Sequence, residues 1–331
     1  MTAGPAGTAV AAAAVPVPPT AADAVTDVAA AEDARLAGRR SRYVADLTAM
    51  HDRISLRGLV DRCDPLYVAR RPDGLTVLAV PQSGLPDRYR LMIYGFRLAQ
   101  YLRLRFASDE IAYGSALFAE PHDDHGEEVH VMALREETGA ILRYVSYVGT
   151  TDEQPLPLTH PARRPFPAEV AHGVNFFDHV PVPDSVHSDE VWEVKRLVQR
   201  GSEQDASAAT RLRVSLEMML AFYRTLRALD PAPRYLVGDG EEGLAIRRLT
   251  RSLRDITVIE GTAPSLPHTD LHFPLYVTRD VVKPFVARAP GGEELDRLIG
   301  WLERALTAAD PLAGFKNLVA TVEGTIRRVR I

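Results

Sequence analysis

Residues Val191 to Gln199 read VWEVKRLVQ, and the segments after this strand-like run decide the fold. A long helix with apolar periodicity comes next, then a second strand in Arg234 to Asp239 (RYLVGD), then an arginine-bearing helix over Gly243 to Leu253. Strand, helix, strand and helix in that order read as an α/β core crossed by helices.

Upstream of this unit, Glu127 to Glu136 and Ala140 to Gly149 form two strand-like runs joined by Glu137-Thr138-Gly139. They read as an antiparallel hairpin with glycine where positive φ is needed. Leu91, Tyr94, Leu98, Tyr101 and Leu102 line one side of a helix over Asp87 to Phe106, and Leu75 to Val80 reads as a short strand after Pro72-Asp73-Gly74. A short amphipathic helix with Tyr43, Leu47, Met50 and Ile54 ends near Gly58. The segment between Phe106 and Glu127 and the long Pro- and His-rich stretch from Thr150 to Asp189 are expected to shape a pocket. The resulting division is a disordered tail over 1–35, an amino-terminal helical elaboration over 36–86, the core over 87–290 and carboxy-terminal helices over 291–331. Those helices could cap the core or build a homodimer contact.

Composition narrows the function classes. The chain has 331 residues, 46% of them hydrophobic, a formal charge of -5 and one cysteine, Cys63. It can bury a large core, and a lone thiol between Asp61 and Asp64 makes no disulfide and is a poor nucleophile. No run of about eighteen apolar residues is present to span a bilayer, so a cytoplasmic protein with no membrane partner is expected. The first 35 residues are mostly Ala, Pro, Val and Thr, too poor in large apolar side chains to offset ordering entropy. From Val191 to Asp255 twelve Lys or Arg face nine Asp or Glu, a local +3 that leaves -8 elsewhere. No Walker loop, nucleophile elbow or Rossmann glycine fingerprint is present, which removes the main support for kinase, hydrolase and dehydrogenase readings.

The run Trp192-Glu193-Val194-Lys195-Arg196 resembles the fourth strand of the acyl-homoserine lactone synthases, which reads roughly Trp-Glu-x-x-Arg. The resemblance extends over about Tyr94 to Val277. It implies a GNAT-like N-acyltransferase core, α/β with a central mixed, splayed sheet flanked by helices, and an activity that moves an acyl group onto an amine. It also places Arg105-Phe106 and Asp123-Asp124 near the acceptor, so Phe106, Asp123, Asp124, Ser146 and Trp192 are the candidate substrate-binding residues. Trp192 reads as core packing before acyl pocket.

Two departures alter what the resemblance implies. Where the family's second hairpin strand ends in Arg-Leu-x-Pro-Thr, this chain has Ser146-Tyr147-Val148-Gly149-Thr150. The fold is kept and the S-adenosylmethionine substrate is relaxed to a small amine, hydroxylamine or amino acid. The loop after the strand, Gln199 to Ala206, carries Glu203 and Asp205 and lacks the second glycine of a pyrophosphate cradle. An acyl carrier protein or an aminoacyl-tRNA therefore fits better as donor than free coenzyme A. Arg200, Arg211, Arg213, Arg247, Arg248 and Arg251 are the candidate carrier-binding residues, the last three on one helical stripe with Arg254; a solvated helix face is the bland reading.

In a regular strand, residues three apart point to opposite faces. Glu193 and Arg196 can act together only across a β-bulge, which the resemblance supplies. Glu193 is then the expected proton acceptor, with Arg196 and His179 the other candidate catalytic residues and His172 a further loop histidine. HDDH at His122 to His125 and HTDLH at His268 to His272 lack a third ligand at zinc spacing and read as surface positions. No metal and no cofactor are implied. The alternative to an enzyme of bacterial secondary metabolism is a noncatalytic, ligand-sensing protein on the same fold.

Overall fold

The structure is a computed structural model that describes residues 21–122, 126–150, 152–200, 207–277, 282–308, 311–322 and 325–331. It divides into an amino-terminal unit through Arg42 and a second unit from Tyr43 to Ile331. The described part of the first unit is helix, the start of α1 (Ala21–His51). Helix thus begins inside the segment expected to be a tail, because the run from Ala30 to Ala37 (AAEDARLA) is made almost entirely of strong helix formers.

The second unit is built on one nine-stranded sheet in the order β1-β2-β3-β4-β5-β6-β8-β7-β9. Its strands are β1 (Tyr67–Arg70), β2 (Leu75–Pro81), β3 (Glu128–Arg135), β4 (Ala140–Val148), β5 (Val191–Gln199), β6 (Tyr235–Glu241), β7 (Arg254–Glu260), β8 (Val282–Arg288) and β9 (Ile326–Arg330). The expected hairpin is β3–β4, and Gly139 turns it at φ +69, where a side chain would meet the Arg57 backbone nitrogen at 2.4 Å. The expected strand at Leu75 to Val80 is β2, which pairs antiparallel with β3 although it lies in the segment read as a helical elaboration. β1 and β9 exceed expectation: β1 adds to the sheet as the antiparallel neighbour of β2, and β9, beyond the carboxy-terminal helices, pairs parallel with β7. β1 is only four residues long and the partner of β9 is remote in sequence, so local pattern does not reveal them.

On one face pack α5 (Ala208–Ala228) and α8 (Gly292–Thr307). Ser207 caps α5 by accepting from the Thr210 nitrogen, and Leu216, Leu220, Tyr223 and Leu226 join Leu236, Ile256 and Phe285 in one core. On the other face α2 (Asp87–Leu104) covers β2 to β4 through Tyr89, Ile93, Leu98 and Tyr144. Beside α2, the long segment ahead of β5 is held by Leu158, Phe166, Phe176 and Phe177 against Val191, Val237 and Val286. Each such buried side chain stabilises the attachment by roughly 1.5–3 kcal/mol, so this stretch is a built layer that carries α4 (Pro167–His172).

Two strand relationships matter for function. β5 and β6 pair in parallel only at Val191↔Tyr235, Trp192↔Leu236 and Glu193↔Val237. Beyond Glu193, β5 stays with β4 through Arg143↔Gln199, while β6 stays with β8 through Glu241↔Val282. The sheet therefore opens between them. At the point of divergence Gly238 is required, since a Cβ there would lie 2.8 Å from the Val194 carbonyl oxygen.

Candidate active site

The β4–β5 ladder shifts register between Tyr144 and Ser146, and Arg196 sits opposite the shift with φ +61. This is a bulge. Glu193 and Lys195 lie on the α2 face by strand alternation, and the bulge turns Arg196 to the same face, where its Nε donates to Glu120 Oε1 at 2.7 Å. Asp239, two residues past Val237 on β6, joins them from across the opening by the same alternation.

Glu193 is buried and takes a hydrogen bond from the Ala168 backbone N–H of α4 at 2.9 Å. Burial pushes its carboxyl up to about 7, with Asp239 adding to the rise and Lys195, the Ala168 N–H and Arg196 opposing it. Such a carboxylate is poised to accept a proton near neutrality. Asp239 Oδ2 accepts from Tyr276 Oη at 2.7 Å, on α7 (Phe273–Val277), and lies 3.3 Å from His172 Nε2. Those neighbours hold Asp239 below the usual carboxylate range against the cost of burial.

Next to this pair lies a buried ionic network. Arg97 of α2 donates from Nε to Glu120 Oε2 at 2.6 Å and from Nη1 to Glu128 Oε1 at 2.8 Å. Glu120 also faces His272 Nε2 at 3.1 Å. Burial works against both carboxylates, and the guanidinium groups outweigh it: Glu120, between Arg196 and Arg97, is held well below its ordinary range, and Glu128 is lowered to about 2, chiefly by Arg97. Tyr144 Oη approaches His130 Nδ1 at 2.6 Å, and burial lowers that imidazole to about 4. Tyr101 lies under the Arg196 guanidinium, 5.4 Å from ring centroid to Cζ.

The structure gathers some of the residues singled out in the sequence and separates others. Glu193 and Arg196 share a face, and Ser146 lies buried beside Lys195 and Glu128. Phe106 packs edge-on against Tyr101, one ring removed from Arg196. Trp192 is on the opposite face, its indole over Gly149 and against the α5 core, because strand alternation turns it away from Glu193. His179 follows a short helical turn and makes no side-chain hydrogen bond or ion pair among the described residues; His172, seven residues earlier, is the histidine that reaches the opening. Asp123 and Asp124 lie outside the described residues.

Among the arginines, Arg200 is held by Asp52, donating to its carbonyl oxygen at 2.6 Å, and Arg213 by Asp73 at 3.1 Å. Arg211 is half-buried and engaged in a contact of its own. Arg247, Arg248 and Arg251 are exposed and form no ion pair among the described residues. They surround α6 (Arg247–Leu249), which a π-helical turn over Glu242–Ile246 precedes, so the expected helix is shorter; Arg254 opens β7 and pairs with Glu294.

Sequence reasoning passed over Arg97, Glu120, Glu128, Asp239 and Tyr276, whose partners are all distant in the chain. His272, read as a surface position, is enclosed by Glu120 and Arg196. Among the described residues, no group of three His, Cys, Asp or Glu side chains is placed to hold a metal, and no helix is long and apolar enough to cross a membrane.

A mixed sheet with a bulged strand splaying from its parallel neighbour, and a helix crossing between the two, defines the GNAT-like acyltransferase fold. The chain is similar to solved acyl-homoserine lactone synthases. They include the CoA-dependent synthase MesI (15% identity, TM-score 0.36, covering 65% of this chain and 89% of that one) and LasI (14%, 0.36, 65% and 89%). The CoA-dependent synthase BjaI, solved with SAM and isopentyl-CoA, is 16% identical with a TM-score of 0.34, covering 69% and 93%. No family model and no curated protein matches the chain.

Proposed function

We propose that the protein is an N-acyltransferase that moves an acyl or aminoacyl group, borne by an acyl carrier protein or a tRNA, onto a small amine. The observation that carries this reading is Glu193: a buried carboxyl at about 7, on the strand that leaves its parallel neighbour immediately after it.

In this reading the acyl chain enters between β5 and β6. The amine nitrogen attacks the ester or thioester carbonyl, Glu193 takes the proton the nitrogen loses, and the carrier's oxygen or sulfur leaves as the C–N bond is completed. Among the described residues, the β5 backbone past Glu193 has no ladder partner on its β6 side, so its amides can face the developing oxyanion. Arg196, clamped by Glu120, fixes the bulge that presents Glu193. The exposed Arg247, Arg248 and Arg251 offer the anionic carrier a basic rim.

The test is transfer to a panel of amines from acyl carrier protein, coenzyme A and aminoacyl-tRNA donors in parallel, with carrier binding measured at near-physiological salt. Turnover with one carrier, with binding lost in Arg247→Glu/Arg251→Glu, supports the proposal and names the donor. Turnover with coenzyme A alone overturns the carrier assignment; no transfer from any donor leaves a ligand-sensing protein.

A further inference from the structure

Asp239 has no role in the chemistry above, yet it occupies the second wall of the opening. Its side chain is 19% exposed, whereas Glu193 is 3% exposed, so Asp239 is the carboxylate on the accessible side. By register it stands one pleat, about 6–7 Å along the strand direction, beyond the Glu193↔Val237 pair. A small cationic group between the two strands can touch both.

The charges favour such a group. Arg97 and Arg196 are engaged by Glu120 and Glu128 at hydrogen-bond distance. That leaves Lys195 against Glu193 and Asp239, an excess of one negative charge once Glu193 is ionised. His172 supplies an independent sign of an incomplete arrangement. Its side chain is fully buried, its Nδ1 is paired with Thr262 Oγ1 at 3.1 Å, and its Nε2, although 3.3 Å from Asp239, is off the line of a hydrogen bond and has no aligned partner. A buried polar nitrogen without a partner is costly. A donor placed beside Asp239 would satisfy it.

We infer that the acceptor is a primary ammonium ion, bound between Glu193 and Asp239 with His172 as its third polar neighbour. The inference rests on the acyltransfer reading and selects, among amine-type acceptors, those that arrive protonated: Glu193 takes one proton before attack, the second proton lost as the C–N bond forms goes to the carrier's leaving oxygen or sulfur, and Asp239 stays ionised and holds the nitrogen. A hydroxylamine or an alcohol, neutral near pH 7, lacks the charge this pair selects.

The test reads binding and not turnover. Saturation-transfer NMR on the full chain at pH 8 compares n-butylammonium with its neutral counterpart n-butanol, and with tetramethylammonium, which has charge but no N–H. Butylammonium is expected to bind about tenfold or more above either, and to lose about tenfold in Asp239→Asn, the scale of a charge-assisted hydrogen bond, with Asp239→Glu keeping most of the signal. Glu193→Gln answers the same question where Asp239→Asn does not fold. Equal binding of butanol, or undiminished ammonium binding in the neutral variant, overturns the site. Ammonium binding without transfer from any donor instead defeats the acyltransfer reading and leaves the site standing.

Discussion

Glu193 and Arg196 are three residues apart on β5 and face the same side of the sheet, because Arg196 adopts φ +61 at a bulge opposite Tyr144 and Ser146. A straight strand would send the guanidinium into the α5 core and leave Glu120 with Arg97 and His272 alone. The bulge thus does two things at once: it completes the buried ionic network, and it bends β5 away from β6 so that the sheet opens.

A left-handed conformation at a residue with a Cβ costs about 1–2 kcal/mol, which Arg196 offsets through Glu120. Arg196→Ala keeps the backbone cost and leaves a buried carboxylate short of a partner, a loss of up to about 3–5 kcal/mol. Arg196→Gly loses the same ion pair without the conformational cost. Urea unfolding is expected to find both variants destabilised, with the glycine variant the more stable by about 1 kcal/mol; equal stabilities would mean that the left-handed backbone at this position does not persist once the ion pair is gone.

Glu193 gives the rate a pH dependence of definite sign. Its folded carboxyl, at about 7, is protonated and unable to act as a base at pH 6 and ionised at pH 8. Transfer should rise through that interval with an apparent midpoint near 7, and Glu193→Gln should abolish the rise and lower the rate by about 10²–10⁴. Stability runs the other way. Between the unfolded value of about 4.5 and the folded value the native state holds the extra proton, so stability falls as pH climbs through this window, by roughly 3 kcal/mol. The Gln variant should therefore gain on the wild type above pH 7 in denaturation curves, although it loses activity.

Acid should act on the other half of the site in two stages. His130 is lowered to about 4, so the unfolded chain takes up a proton there first, and stability drops as pH falls from about 6.5 to 4. Glu128, lowered to about 2, contributes stability present above about 4.5 that is lost as pH falls toward 2. His130→Gln is expected to flatten only the upper stage of a Tm-against-pH curve, and Glu128→Gln only the lower. A single unchanged transition in both would show that the network does not govern acid unfolding.

The legible part of this site was the part written locally. Glu193-Val194-Lys195-Arg196 lies on one strand, the need for a bulge follows from strand periodicity, and Gly139 marks its own turn. The β5–α5–β6 order could be read from three adjacent segments. What could not be read depends on contacts distant in the chain: Arg97 meeting Glu120 and Glu128, or His272 reaching Glu120 from 152 residues away. His179 and His172 could not be told apart for a related reason. Both are loop histidines by pattern, and only the packing of Phe166, Phe176 and Phe177, with Arg163 bound to Glu169, brings α4 and His172 over Asp239.

Gly238 offers the most direct test of the opening itself. It follows Val237, the last residue of β6 paired with β5, and there the Val194 carbonyl oxygen would be 2.8 Å and the Phe285 ring 3.2 Å from an added Cβ. The carbonyl belongs to backbone held by β4 and cannot swing aside as a side chain would. Gly238→Ala must therefore push β6 from β5 or bend β5 further, at a cost of about 1–3 kcal/mol. The strands carry Asp239 and Glu193 with them, so ammonium binding and transfer should fall together, by more than the stability loss explains at a temperature where the variant is fully folded. Gly240→Ala, two residues on, where an added Cβ would meet side chains and not backbone, the Ala245 Cβ at 3.0 Å and Ile246 at 4.0 Å among the described residues, is the matched control and should spare both. If Gly238→Ala lowers the melting temperature and leaves turnover and ammonium affinity intact, the geometry of the splay does not set the chemistry, and the catalytic reading of Glu193 loses its structural basis.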